Sequence, residues 1–309
     1  MRKLQLGRTE VCASELTQRP FRAAPCQFLI AVTPRNKTKA LATFKRERAA
    51  ELPEVNGLRV SGVSDLSFLK DLPNLLYLEV VDQKKVNTRH LDGLENLRGL
   101  RLHSPGAGVD FSCFPHLEVF VGDWHVDNRN VDRCRELRRL CVWHFQPRSR
   151  DLFDLANSVR LEQLRIIQTT IASIAGLKTL EDLRYLTIEY APKLESLDAL
   201  RDGHPEIREL KLSKAKGIRS YLPIASIGHL RRLQLGSCGP MPDLKWVKGL
   251  NELDFFTFVD TNVDSNDLSP LLDLPKLEYV GTMNKRAYNY TSEALNELLS
   301  RRLGVSVPI

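Results

Sequence analysis

The fold of this chain is decided by residues 180–200, LEDLRYLTIEYAPKLESLDAL. Aliphatic residues recur there at steps of two or three, first from Leu183 to Ile188 and again after Pro192. In an extended segment, residues two apart share one face, so Leu186 and Ile188 are predicted to point to the same side. The stretch therefore predicts one short strand followed by a return segment, which is a repeating structural unit and not an active site.

The same pattern recurs along most of the chain. When each unit is anchored on the central residue of its L-x-x-L-x-L run, successive anchors lie 20 to 24 residues apart. The eleven anchors are Leu58, Leu78, Leu100, Phe120, Leu140, Leu164, Leu186, Leu210, Leu233, Phe256 and Val280. One such strand cannot bury its apolar side chains alone, and neighbouring units supply the missing contacts. About eleven turns of a repeating array are expected over residues 55–283.

The run and its period resemble the short, about 22-residue leucine-rich repeat of the bacterial internalins. The resemblance implies an α/β leucine-rich-repeat solenoid that is right-handed, with a parallel sheet on the concave face and short helical or 3-10 returns. Such returns are predicted at 65–72, 196–200 and 243–250, where apolar residues follow helical steps. In this repeat class the position five residues after each anchor usually holds asparagine or cysteine, but here it mostly holds other residues, such as Thr169 and Thr261. We therefore expect no asparagine ladder and less regular loops.

The N-terminal residues 1–54 do not carry the repeat and are predicted to form a basic segment or cap. Strong helix formers between Lys37 and Leu52 predict a helix over 37–52, which Pro53 ends. The apolar run Phe28–Val32 is predicted to be a short strand.

The C-terminal residues 284–309 are predicted to form a second cap with a helix over 293–302. The leucines expected to close the open end of the core are Leu295, Leu298 and Leu299. The segment from Thr261 to Thr291 resembles the C-terminal part of a group of bacterial leucine-rich-repeat proteins, which implies a bacterial source.

The net charge of +7 comes mainly from the N-terminal segment. Residues 1–54 hold eleven Lys or Arg and five Asp or Glu, whereas the remaining residues hold 34 and 33. A nearly neutral array does not match the continuous positive surface that binds nucleic acid, so nucleic acid is not the expected partner. The basic run 45–48 leaves one alternative open, in which the N-terminal segment associates with nucleic acid or another anionic surface.

Six cysteines are present, without a C-x-x-C pair and without a spacing to histidines that would indicate zinc. They are predicted to be unpaired thiols in a reducing compartment, and Cys141 and Cys238 to be packing residues. No apolar run has the length of a secretory signal or of a membrane helix. The sequence therefore predicts a cytoplasmic protein that has no membrane segment.

Catalytic and cofactor motifs are missing from the sequence. It contains no Walker A motif, no G-x-S-x-G, no H-E-x-x-H and no G-x-G-x-x-G. His125 and His144 have no carboxylate or third histidine at a matching repeat position, so no metal site is predicted. We expect a protein that is not an enzyme and that binds no cofactor.

The specific part of the sequence is the set of residues between the inward leucines, because they line the exposed side of the strands. Tyrosine, tryptophan and arginine are the residues most enriched at interface hot spots. The predicted partner-binding residues are Trp124, Trp143, His144, Arg165, Tyr185, Tyr190, Lys211 and Arg232. An alternative is that Trp143 and Phe145 only pack a loop around Pro147.

The sequence thus predicts a monomeric protein–protein interaction module that binds a protein partner through the concave sheet. The resemblance implies two settings, an immunity protein that inhibits a toxin or a bacterial effector. A scaffold with no single specific site is the remaining alternative.

Overall fold

A computed structural model describes residues 4–6, 9–13, 28–49, 55–106 and 108–304 of the chain. Residues 50–54, which include the end of the predicted helix 37–52, lie outside the described residues, as do residues 305–309 of the predicted C-terminal cap. By its internal contacts the chain divides into two compact units, Met1–Trp143 and His144–Ile309. We call them unit 1 and unit 2, and each is described by itself.

The described residues of unit 1 form eight strands and one α-helix. The strands are β1 (Leu4–Leu6), β2 (Thr9–Ala13), β3 (Phe28–Val32), β4 (Val55–Ser61), β5 (Tyr77–Val81), β6 (Gly99–His103), β7 (Val119–Asp123) and β8 (Arg139–Trp143), and the helix α1 is Lys37–Ala49. Strands β1, β2 and β3 pair antiparallel, whereas β3 to β8 pair parallel in chain order. The short 3-10 helices between strands are Ser67–Asp71, Thr88–Leu91, Phe111–Cys113 and Val131–Arg133.

Unit 2, as far as Gly304, forms six parallel strands followed by an α-helix. The strands are β9 (Gln163–Ile167), β10 (Tyr185–Glu189), β11 (Glu209–Ser213), β12 (Arg232–Gly236), β13 (Phe255–Thr257) and β14 (Tyr279–Gly281), and the helix α2 is Ser292–Leu303. Each strand pairs with the next along the chain. The 3-10 helices are Phe153–Leu155, Leu177–Thr179, Asp198–Leu200, Leu222–Ser226, Lys245–Gly249 and Ser269–Asp273.

Every predicted anchor lies in one of the strands β4 to β14, and none is more than 1% exposed. The anchors also align across strands, as Leu164, Leu186 and Leu210 do in unit 2. Because the inward side chains of one strand lie beside those of the next, they form the continuous core that a single repeat lacks. This alternation of parallel strand and short return is the leucine-rich-repeat architecture, as predicted.

Several returns begin with a side chain that accepts a hydrogen bond from the backbone two residues later. Asp65 accepts from the Ser67 N–H at 2.9 Å, and Asp243 accepts from the Lys245 N–H at 2.8 Å. Such a bond satisfies one of the backbone donors that a helix start leaves without an intrahelical partner. The 3-10 helices that follow confirm the predicted returns.

Side chains other than asparagine connect neighbouring loops in unit 2. The Thr169 hydroxyl donates to the Phe145 carbonyl at 2.6 Å, and the Thr261 hydroxyl accepts from the Cys238 N–H at 3.0 Å. These residues occupy the position of the asparagine ladder and are buried. The ladder is absent as predicted, but hydroxyl groups of similar reach hold the loops together at these repeats.

The C-terminal helix α2 covers the last strand. Asn296 accepts a hydrogen bond from the Val280 N–H at 2.8 Å and donates one to the Val280 carbonyl at 2.9 Å. Leu295 and Leu299 are fully buried, but Leu298 is 38% exposed. The prediction that Leu298 closes the core is therefore wrong. Leu295 and Leu299 lie four residues apart on the buried face of the helix, and Leu298 lies outside that face.

No helix in the described ranges is long and apolar enough to span a bilayer. Three cysteines within those ranges, Cys113, Cys134 and Cys238, are free thiols. Burial raises the pKa of the Cys134 thiol to about 12, so this thiol stays protonated at neutral pH. Cys141 and Cys238 are buried, as predicted for packing residues.

Candidate binding surface

The five-residue strands place two side chains in the core and three on the opposite side, which we call the outer face. In unit 2 these outer residues align in rows because neighbouring strands pair without a shift. The first row contains Gln163, Tyr185, Glu209, Arg232, Phe255 and Tyr279, and the second contains Arg165, Thr187, Lys211, Gln234 and Thr257. Residues 22 to 24 apart in the sequence thus become lateral neighbours about 5 Å apart.

A charged cluster spans β9, β10 and β11 on this outer face. The Glu189 carboxylate accepts from Arg165 Nη2 at 2.8 Å and from Lys211 Nζ at 2.7 Å. Its side chain is 12% exposed, against 44% for Arg165 and 40% for Lys211. Burial raises the pKa of Glu189, but the hydrogen bonds from Lys211 and Arg165 outweigh it and hold that pKa below its usual range. The carboxylate therefore stays ionised beneath two cations.

Two tyrosines lie near the charged cluster, one at the start of β10 and one directly after its end. Tyr185 is 37% exposed and Tyr190 is 47% exposed. Tyr190 follows the strand with a positive φ of 55°, and Lys214 takes the same position in the next repeat with a φ of 52°. The Lys214 Nζ lies 4.4 Å from the centroid of the Tyr190 ring, a cation–π distance. The two tyrosines present apolar surface next to positive charge.

A second aromatic group lies at the C-terminal end of the outer face. The Arg232 guanidinium lies 4.0 Å from the Phe255 ring centroid, and the Phe255 and Tyr279 rings stack at 5.0 Å with 16° between their planes. We call these three residues the aromatic shelf. The sequence prediction included Arg232 but missed Phe255 and Tyr279, although each directly precedes an anchor, as Tyr185 does.

Glu209 lies between Tyr185 and Arg232 in the first row. Burial raises the pKa of its carboxyl above the usual range, although Arg232 acts in the opposite direction. It remains protonated to a higher pH than an ordinary glutamate.

The two predicted tryptophans belong to unit 1. The Trp143 ring meets the His103 ring edge to face at 5.0 Å, and the Trp124 ring stacks on Phe111 at 6.1 Å. Phe111 is fully buried, so Trp124 packs against core. Phe145 is also fully buried, as the packing alternative predicted for that residue.

The outer face of unit 1 is more buried than that of unit 2. Its buried outward residues are Tyr77, Glu79, Val119, Val121, Arg139 and Cys141. Glu79 is completely buried and bonds Arg59 at 2.5 Å. The exposed outward tyrosines are instead found on unit 2, which makes its outer face the better candidate surface.

Of the eight predicted residues, the structure brings Arg165 and Lys211 together on Glu189, with Tyr185 at the start of β10 and Tyr190 directly after its end. Arg232 belongs to the aromatic shelf. His144 lies in unit 2 with a φ of 58° and is exposed. Within the described residues, no three histidine, cysteine or carboxylate side chains are arranged to hold a metal ion.

No protein-family profile and no curated protein sequence matches this chain. Solved structures match it in fold. The internalin InlF of Listeria monocytogenes is 20% identical with a TM-score of 0.60, over 83% of this chain and 73% of that one. A leucine-rich-repeat protein of Leptospira interrogans is 14% identical with a TM-score of 0.47, over 86% of each chain. At such identities the similarity is one of fold, and InlF confirms the predicted likeness to internalin repeats at that level.

Proposed function

We propose that this chain is a non-catalytic binding protein that holds a protein partner on the outer face of unit 2. The observation that carries the proposal is that exposed Tyr185 and Tyr279 share a row with Arg232 while Arg165 lies in the neighbouring row. Rigid aromatic side chains and arginine contribute most of the binding energy at typical interfaces. A mixture of both charge signs also matches a protein surface better than a uniformly charged polymer.

The test is affinity capture from the source organism, followed by mass spectrometry. Arg165→Ala combined with Tyr185→Ala removes one cation and one aromatic group from the outer face. Hot-spot residues typically cost about 2 kcal/mol or more when truncated, so recovery of the partner is expected to fall at least about tenfold. Thermal unfolding checks that the variant is folded.

The matched control is Phe153→Ala combined with Arg201→Ala. Phe153 is 58% exposed and the Arg201 side chain is 57% exposed, and both lie at 3-10 returns of unit 2. This variant should capture the partner as the unchanged chain does. Equal capture by the outer-face variant, or equal loss in the control, would contradict the proposal and favour a scaffold without a single specific site.

The biological setting follows from the captured partner. A toxin would identify an immunity protein, whereas a host protein would identify a bacterial effector. The bacterial source, the cytoplasmic location and the monomeric state remain predictions from the sequence. Size-exclusion chromatography with light scattering measures the last of these.

A second candidate function is association of α1 with an anionic surface. The helix exposes Lys39, Lys45 and Arg46. Its one carboxylate, on Glu47, is 6% exposed and bonded to Arg46 at 2.9 Å. The exposed side of the helix is therefore positive, which is the observation that favours this alternative.

A further inference from the structure

We propose that the partner segment on the outer face of unit 2 is an acidic protein segment, with separate carboxylates and at least one aromatic or apolar side chain. The inference rests on the proposed function and specifies the chemistry of the partner. The evidence is the difference in solvent exposure between the positive and the negative side chains on this face.

The exposed charges in the cluster around Glu189 are positive. Arg165 and Lys211 are about three times as exposed as the Glu189 carboxylate that they share. Lys214 is exposed and lies over the Tyr190 ring instead of on a carboxylate. Three cations and one shielded carboxylate thus lie in this part of the face, so an incoming carboxylate meets attraction there.

These cations keep donors for a second carboxylate. Arg165 bonds Glu189 through Nε at 3.0 Å and Nη2 at 2.8 Å, which uses two of the five N–H donors of a guanidinium. Lys211 uses one of its three donors at 2.7 Å. A partner carboxylate can therefore bind above Glu189 without breaking the existing pairs, and Glu189 holds both cations in position.

The apolar requirement comes from the tyrosines and the aromatic shelf. Tyr185 and Tyr279 lie in the same row, and Tyr279 is 45% exposed. An aromatic or apolar side chain packed on either ring removes accessible apolar surface from water, and stacking adds to that gain. Acidic and apolar groups on one segment would match the two parts of the face.

A nucleic acid fits this face less well. A phosphate backbone carries closely spaced charges and gains affinity from a continuous row of cations. Here Glu209 lies within the first row of cations and aromatic residues. Asp260 occupies the same repeat position as Tyr190 and Lys214, four residues after its anchor. The carboxylates of a protein segment can be spaced so that none lies against these acidic residues, whereas the phosphates of a nucleic-acid backbone are too closely spaced for that.

The test uses three probes of matched length on the full chain: a glutamate–tyrosine copolymer, a lysine–tyrosine copolymer and single-stranded oligouridylate. We expect the glutamate–tyrosine copolymer to bind most tightly in biolayer interferometry. Lys211→Met combined with Lys214→Met should weaken that binding about tenfold, because two charge contacts are lost. Lys214→Met alone, which breaks no ion pair with a described carboxylate, should weaken it by a smaller factor.

The control is Lys245→Met combined with Lys248→Met, which removes the same charge from a 3-10 return of unit 2. An equal loss in this variant, or tighter binding of the lysine–tyrosine copolymer, would overturn the proposal. Tighter binding of oligouridylate would overturn it in favour of a nucleic-acid surface.

The two proposals fail in different ways. If Tyr185→Ala abolishes capture of the natural partner while the Lys211→Met, Lys214→Met variant captures it normally, the acidic-partner inference is wrong and the proposed function stands. If neither change affects capture, the outer face is not the binding surface. If the partner peptides that crosslink to Lys211 are rich in Asp or Glu, the result would support both the proposed function and the acidic-partner inference.

Discussion

At the scale of single residues, the position four residues after an anchor has an unusual backbone conformation in unit 2. In unit 2 its φ lies between 52° and 58°, at His144, Gln168, Tyr190, Lys214, Ser237 and Asp260. This left-handed region costs L-residues energy and is normally taken by glycine. Its recurrence indicates that the chain must turn sharply where it leaves the sheet. His144 and Tyr190, two predicted binding residues, therefore owe their orientation to this turn.

Gln168 provides a test of that conformational requirement. We expect Gln168→Val to be less stable than Gln168→Gly by about 1–2 kcal/mol, because a β-branched side chain is strained at positive φ. Urea unfolding midpoints of the two variants measure the difference. The same pair of changes at Gln163, within β9, should reverse the order, since valine suits a strand better than glycine. The same order at both positions would contradict this explanation.

His204 is a buried histidine that is held in its neutral form. Its Nε2 lies 3.1 Å from the Leu180 carbonyl oxygen, and its Nδ1 accepts from the Glu206 N–H at 3.4 Å. Burial lowers the pKa of His204 below its ordinary value of 6.5, although the Leu180 carbonyl acts in the opposite direction. Below pH 6.5 the unfolded chain takes up a proton that the folded chain does not. The stability that His204 contributes is therefore complete above pH 6.5 and is lost as the pH falls.

The predicted consequence is a smaller pH effect in His204→Asn. Between pH 7.5 and 5.5 the urea midpoint of the unchanged chain should fall further than that of the variant. His229→Asn changes an exposed histidine. Its urea midpoint should fall by as much as that of the unchanged chain. Equal shifts in all three proteins would show that His204 contributes nothing to the pH dependence.

At the scale of secondary-structure elements, the end of the sheet is closed by a side chain. An edge strand exposes backbone donors and acceptors that can pair with another molecule. The Asn296 amide bonds both the N–H and the carbonyl of Val280, and the Ser292 hydroxyl also donates to that carbonyl, at 2.9 Å. Helix α2 thus replaces the backbone of the strand that would come next.

Asn296→Leu tests this closure. The change leaves the buried Val280 N–H without its acceptor, so we expect a loss of about 1–3 kcal/mol in unfolding free energy. Urea denaturation measures the loss, and light scattering shows whether the freed edge causes self-association. Leu298→Asn, on the exposed side of the same helix, should change stability by less than about 0.5 kcal/mol. A harmless Asn296→Leu would mean that the backbone of β14 is satisfied in another way.

At the scale of the whole molecule, most of the net positive charge comes from residues 1–54, and five of the eleven basic residues there lie on α1. If this helix binds anionic surfaces, Lys39→Gln combined with Lys45→Gln should elute from heparin at lower salt than the unchanged chain, because each neutralised anion contact contributes to the salt dependence. Lys245→Gln combined with Lys248→Gln loses the same charge elsewhere. Equal elution shifts for the two variants would indicate an effect of net charge and not of the helix.

The leucine pattern predicted the fold well because its physical cause is local. Leu183, Leu186 and Ile188 alternate within a few residues, and each can be buried only beside an identical pattern one repeat away. The positions of all eleven anchors followed from that rule. Leu298 was predicted wrongly because leucine is also common on exposed surfaces, where a single apolar residue costs little.

The binding surface was less predictable because its residues owe their positions to contacts across strands. The sequence alone determined a leucine-rich-repeat architecture and the positions from which side chains point outward, since both follow from the period of the apolar residues. Only the tertiary structure decided that Glu189 lies beneath Arg165 and Lys211, that Phe255 stacks on Tyr279, and that outward residues of unit 1 are buried. Those contacts depend on the register between strands and on side-chain conformation, and one repeat by itself specifies neither.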